Sequence, residues 1–92
     1  MSQVNADQVL AIGKNVLSLE DYMLSIQYFN QAIKAKPYLA DPYFFRGLAK
    51  LYLEDYKGAE EDCSMAIERN KFKITIKLKA ILRNDLQIHH LQ

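Results

Sequence analysis

The sequence predicts an all-α fold, and three observations carry that expectation. A unit of 34 residues occurs twice without a gap, residues 6–39 aligning with 40–73. Apolar residues recur at helical spacing within each unit. Gly and Pro are scarce, three and two in 92 residues, which suits long helices rather than a β fold with many turns. Ten aligned positions are identical: Ala6/Ala40, Asp7/Asp41, Gly13/Gly47, Leu17/Leu51, Leu19/Leu53, Glu20/Glu54, Asp21/Asp55, Tyr22/Tyr56, Ala32/Ala66 and Ile33/Ile67. Ordinary residue frequencies would give only about two.

Each unit reads as two helices and a turn. The first helix is expected near 6–18, with Asn5 or Asp7 as its cap. The run Leu-Glu-Asp-Tyr, present at 19–22 and again at 53–56, marks the turn. Asp21 then caps a second helix near 22–36, in which Tyr22, Ile26, Phe29 and Ile33 share one face. Lys36-Pro37 ends it, because the residue before proline avoids the α region. Asp41, accepting from free N–H groups, and Pro42 open a third helix near 40–53. Asp55 caps the fourth, near 56–70, with Tyr56, Cys63, Ala66 and Ile67 toward the core.

The small residues set helix spacing. A glycine inside a helix costs roughly 1 kcal/mol relative to alanine, so Gly13 and Gly47 need a compensating close approach. The expected neighbours are Ser25 and Ala59, which correspond between the units. Ala32 and Ala66 are expected to let the next helix in the stack come close.

The tail after residue 73 departs from the pattern. Residues 70–79 alternate apolar and polar, which reads locally as a strand. Read as a helix, Ile74, Leu78, Ile81, Leu82 and Ile88 share a face interrupted by Asp85. The helix is preferred, because an open solenoid end must be covered. Residues Gln87–Gln92 are expected to fray. The domain reading is therefore repeat one at 6–39, repeat two at 40–73, and a capping helix or atypical tail at 74–92.

Both units resemble the tetratricopeptide repeat. Unit one supplies Val9, Ile12, Gly13, Tyr22, Ser25, Phe29, Ala32 and Pro37; unit two supplies Tyr43, Gly47, Tyr56, Ala59 and Ala66. Unit two departs at Arg46 for the usual Leu, Cys63 for an aromatic and Lys71 for Pro. The resemblance covers residues 6–73. It implies a tandem helix-turn-helix solenoid whose concave groove is lined mainly by the first helix of each unit. By position the groove residues are Asp7, Leu10, Lys14, Leu17 and Ser18 from unit one, and Asp41, Phe44, Phe45, Leu48, Leu51 and Tyr52 from unit two. Phe44, Leu48 and Tyr52 follow i, i+4, i+8 spacing and suit an apolar segment laid in the groove; the plainer reading packs them on the fourth helix or the tail. Some members of the family use a two-carboxylate clamp of Lys and Asn. Leu10, Lys14 and Phe45 stand at the corresponding places, so that clamp is absent.

The expected function is a scaffold that holds a protein or peptide partner, with no cofactor and no catalysis. No phosphate loop or dinucleotide fingerprint occurs. Glu60, Glu61 and Asp62 are consecutive, so on a helix they diverge rather than pair for acid–base chemistry. His89 and His90 point about 100° apart on a helix and have no further ligands, which argues against a metal site. Cys63 reads as a buried structural thiol, and a lone cysteine forms no internal disulfide. Without an apolar leader or membrane span, the location expected is cytoplasmic.

Net charge is +1, so nothing global draws the chain to nucleic acid or membrane. Locally the charges segregate. Glu54, Asp55, Glu60, Glu61, Asp62 and Glu68 face only Lys57, whereas Arg69, Lys71, Lys73, Lys77, Lys79 and Arg83 form a run without an acid. Phosphate contact by the basic run is a minor alternative, because Phe72 is the only stacking residue there. A second alternative is self-assembly, with the groove filled by a second copy or the basic tail set against the acidic surface. Two repeats fall short of the usual three.

Overall fold

The computed structural model describes the backbone of residues 4–91 and the side chains of residues 4–84. Four helices follow one another: α1 (Ala6–Ser18), α2 (Tyr22–Ala35), α3 (Ala40–Tyr52) and α4 (Tyr56–Leu91). The described residues contain no strand. Each helix packs on its neighbour in the chain, an arrangement compatible with a helical repeat. Both α1 and α3 are 13 residues long, and they begin 34 positions apart.

The two Leu-Glu-Asp-Tyr runs build the same turn. Leu19 and Leu53 end α1 and α3, and Glu20 and Glu54 then adopt left-handed backbone, with φ 66° and 64°. The amides of Glu20 and Asp21 donate to the carbonyls of Leu17 and Val16. Those of Glu54 and Asp55 donate to Leu51 and Lys50. This pair of bonds is the Schellman arrangement, which satisfies carbonyls that a helix end leaves free. Asp21 Oδ1 then accepts from the Leu24 amide at 3.2 Å, and Asp55 Oδ1 from Gly58 at 3.0 Å. One four-residue run thus stops one helix and starts the next.

The other helix starts differ from each other. Asn5 caps α1, its Oδ1 accepting from the Gln8 amide at 3.1 Å. In α3 the expected capping role of Asp41 is not realised. Leu39 occupies the cap without a side-chain bond, and Asp41 lies within the first turn. There its charge still complements the helix dipole. Pro42 is the third helical residue, where its missing N–H is one of the free ones.

Phe29, with none of its surface exposed, anchors the core. An added Cβ at Gly13 would come within 2.6 Å of its ring. Gly13 therefore lies against Phe29 and Tyr28 of α2. Fully burying a phenylalanine contributes about 1.5–3 kcal/mol, which offsets the roughly 1 kcal/mol of a mid-helix glycine. Gly47 lies against the Ala59 carbonyl and the Asp62 Cβ, at 3.2 and 3.1 Å from an added Cβ. Ser25 is buried with its hydroxyl donating to the Tyr22 carbonyl at 2.7 Å.

The tail is helical, but it is an extension of α4 and not a separate cap. Pro37 ends α2 by holding Lys36 in extended backbone, φ −140° and ψ 82°. Its counterpart is Lys71, which imposes no stop, and α4 runs on for 36 residues in all. Phe72, Ile74, Ile76, Leu78, Ile81 and Leu82 remain exposed, so the extension does not fold back over the open end. The side chains of 85–92, with Ile88, His89 and His90, lie outside the described residues, as does Gln92 altogether.

That open end corrects two expectations. Cys63 is exposed, not buried, and Tyr56 and Ile67 are exposed as well. In unit one, α3 packs on the corresponding face of α2, and Phe29 stacks with Phe45 at 6.1 Å. Among the described residues α4 packs only on α3, so its outward face is bare. Ala59, Asp62 and Ala66 form its buried side.

Candidate functional site

Helices α1 and α3 together present the face on which the sequence places its groove residues. Phe45 is the joint between them. Its ring meets Phe29 from α2, lies edge-on to Phe44 at 5.1 Å, and has the Lys14 ammonium 5.0 Å from its centroid. A cation over a ring face is attracted by the ring quadrupole, so Lys14 ties α1 to α3 while remaining exposed. Phe44 does not follow Phe45 inward and keeps 49% of its surface exposed. Leu10, Leu17 and Leu48 are half-buried. Leu51 and Tyr52 are exposed, and Tyr52 stacks on Tyr22 with centroids 4.8 Å apart and planes 6° apart.

The structure therefore joins Lys14, Phe45 and Phe44 into one cluster. Tyr52 forms a second contact toward the start of α2. Leu10 belongs to a different feature, a cleft of about 400 Å³ between the start of α1, the α2–α3 turn and the middle of α4. Leu39, Phe72 and Ile76 supply its other apolar lining, with Asp7, Asp41, Arg69 and Lys73 among the polar residues. The sequence reading did not place Tyr38, Phe72 or Ile76 beside Leu10. They reach the cleft because α4 continues past position 71. The missing proline was the available signal, together with the four-residue spacing of Phe72 and Ile76.

Arg69 fixes the helix at this place. Its Nε donates to the Pro37 carbonyl at 2.7 Å, and its guanidinium carbon lies 4.4 Å from the Tyr43 centroid. Tyr43 donates its hydroxyl to the same carbonyl at 3.1 Å. The α2–α3 turn is thereby bound to α4 through one backbone oxygen.

Asp62 is not part of the acidic surface, as the sequence suggested, but is 3% exposed. Arg46 reaches it with Nε and Nη2 at 2.8 and 2.7 Å, and Lys50 with Nζ at 3.0 Å. Burial alone would raise its pKa; the hydrogen bonds from Arg46 and Lys50 outweigh that and hold the carboxyl below the usual range. This buried carboxylate is fully paired, which marks it as structural.

Among the described residues no group of three His, Cys, Asp or Glu is placed to hold a metal ion. No helix among them is long and apolar enough to cross a membrane. No protein-family model matches the chain, and searches of curated proteins and of solved structures return no match.

Proposed function

We propose that the chain is a tetratricopeptide-like protein-binding module, and that the α1–α3 face receives an extended or helical segment of a partner protein. The single observation that carries this reading is the exposure of Phe44 beside the fixed ring of Phe45. A large aromatic held on a rigid base, rimmed by Leu48, Leu51 and Lys14, has the character of an interface anchor. The cleft beside Leu10 extends the surface toward Phe72 and Ile76. Lys14, exposed over Phe45, suits an acidic residue flanking the partner's apolar side chains.

The test compares the native chain with Phe44→Ala, Leu48→Glu in affinity capture from lysate, after circular dichroism has shown equal helix content. Captured proteins are identified and titrated against the isotope-labelled native chain. Loss of capture by the variant, with amide shifts centred on positions 10, 44 and 48, supports the proposal. Equal capture by both, or shifts confined to α4, overturns it.

A further inference from the structure

The outward face of α4 carries an uncovered apolar stripe. Tyr56, Cys63, Ile67, Ile74, Leu78 and Ile81 recur at three-, four- and seven-residue steps. At about 100° per residue they fall within roughly 60° of arc. All six are exposed, Tyr56 at 63% and Ile67 at 56%. The buried residues Ala59, Asp62 and Ala66 lie on another side, toward α3.

Charge along α4 is polarised. Glu60, Glu61 and Glu68 occupy its first part, since Asp62 is taken by Arg46 and Lys50. Lys71, Lys73, Lys77, Lys79 and Arg83 occupy the part after Arg69, with no acid before Asp85.

We propose that the stripe binds a second copy of this chain, as an antiparallel α4–α4 pair centred between residues 70 and 71. A parallel pair would set acids on acids and five cations on five cations. The antiparallel pair sets the acidic part of each helix beside the basic part of the other. The stripe is also complementary to itself in that direction. Reflected about that point, Ile67 falls opposite Ile74 and Cys63 opposite Leu78. Two-fold pairing uses every such contact twice. This surface lies apart from the α1–α3 face and does not rest on the function proposed for it.

Sedimentation equilibrium of the 92-residue chain tests the pairing, and oxidation tests its direction. The native chain is expected to be a dimer at low salt that weakens as salt screens the charges. Ile67→Glu with Ile74→Glu is expected to weaken it at least roughly 30-fold, the scale of losing a central apolar anchor. Both positions are exposed, so helix content by circular dichroism should hold. Glu61→Lys with Glu68→Lys should weaken the dimer alone, and so should Lys77→Glu with Lys79→Glu; an equimolar mixture of the two variants should restore it. In the antiparallel pair the two copies of Cys63 stand about 22 Å apart along the helix axis, so diamide leaves the native dimer uncrosslinked. Leu78→Cys should crosslink to the partner copy's Cys63. A monomer at every salt and concentration overturns the proposal. So does a native dimer that crosslinks through Cys63 alone, which reports parallel pairing. A dimer lost with Phe44→Ala, Leu48→Glu but kept with the α4 substitutions also overturns it, placing the contact on the α1–α3 face.

Discussion

Arg46 holds Asp62 by both carboxylate oxygens, and these two residues stand where unit one has Ile12 and Tyr28. One unit thus carries an apolar pair of positions and the other an ion pair at the same places. Arg46 also donates from Nη1 to Asn30 at 2.9 Å, which draws α2 into the same contact. No buried side-chain nitrogen or oxygen among the described residues lacks a partner. The substitution of charge for apolar surface is therefore compensated locally.

Exchanging the pair for its unit-one counterparts tests that compensation. Arg46→Ile alone leaves a buried carboxylate with Lys50 only, and breaking a buried pair costs about 3–5 kcal/mol, less where one partner is part-exposed as Arg46 is. Asp62→Tyr alone leaves Arg46 and Lys50 together without a counter-charge. The double variant should be more stable than either single variant. Replacing a buried ion pair by apolar residues is often neutral or stabilising. Urea unfolding of the four proteins measures the coupling. Additive losses would show that the two residues do not act as a pair.

Acid should act on the same contact. Asp62 has a folded pKa below its unfolded value of about 3.9. Its contribution to stability is therefore complete above the unfolded value, and it is lost as pH falls through the folded one. The urea midpoint of the native chain should drop between about pH 5 and pH 3 more steeply than that of the Arg46→Ile, Asp62→Tyr variant. Parallel acid limbs for the two proteins would assign the loss to other carboxylates.

Much of the architecture is legible in the sequence because its signals are local. The Leu-Glu-Asp-Tyr run, the caps at Asp21 and Asp55 and the stop at Pro37 each act over a few residues. Asp62 was not legible as a buried residue, because its partner Arg46 is 16 positions away and each is ordinary surface composition when read alone. Cys63 and Ile67 carry a core pattern inherited from the repeat, yet nothing in the described chain covers them. The strand-like alternation of 70–79 also has a physical origin. On a helix, Phe72 and Ile76 lie on one side while Ile74 and Leu78 lie nearly opposite. One pair lines the cleft with Leu10 and the other belongs to the bare stripe, so two apolar faces imitate a period of two. Of the candidate groove, Phe44 and Phe45 were placed by repeat position, whereas the share of the cleft owed to α4 needed the continuation past Lys71.

The two turns hold a reserve of stability. Glu20 and Glu54 adopt left-handed backbone, which costs a residue with a Cβ roughly 1–2 kcal/mol. Glycine removes that cost but loses about 0.4–1 kcal/mol through the freer unfolded chain. Glu20→Gly and Glu54→Gly should each stabilise by up to about 1 kcal/mol, raising Tm by roughly 4–8 °C per kcal/mol. Alanine at either position keeps the Cβ and should give no such gain. Thermal unfolding followed at 222 nm checks both. Equal effects of Gly and Ala would trace the gain to the lost charge.

The length of α4 should depend on position 71 alone. Lys71→Pro places at this position the residue that ends α2 at Pro37. Proline inside a helix removes one hydrogen bond and clashes with the carbonyl four residues before, at Ile67, a cost of about 3 kcal/mol or more. The segment beyond it gains little from tertiary packing, since its apolar residues are exposed, and an isolated helix of that length is marginal in water. The substitution should therefore unwind α4 after residue 70 and remove about a quarter of the helical signal at 222 nm. Residues 6–70 should keep their caps, the Arg46–Asp62 pair and a cooperative transition. Arg69, two residues ahead of the proline, should still hold Tyr43 and the Pro37 carbonyl. A loss confined to the tail assigns the extension to the absence of a stop signal. Collapse of the whole transition would instead show that residues 71–91 stabilise the two units.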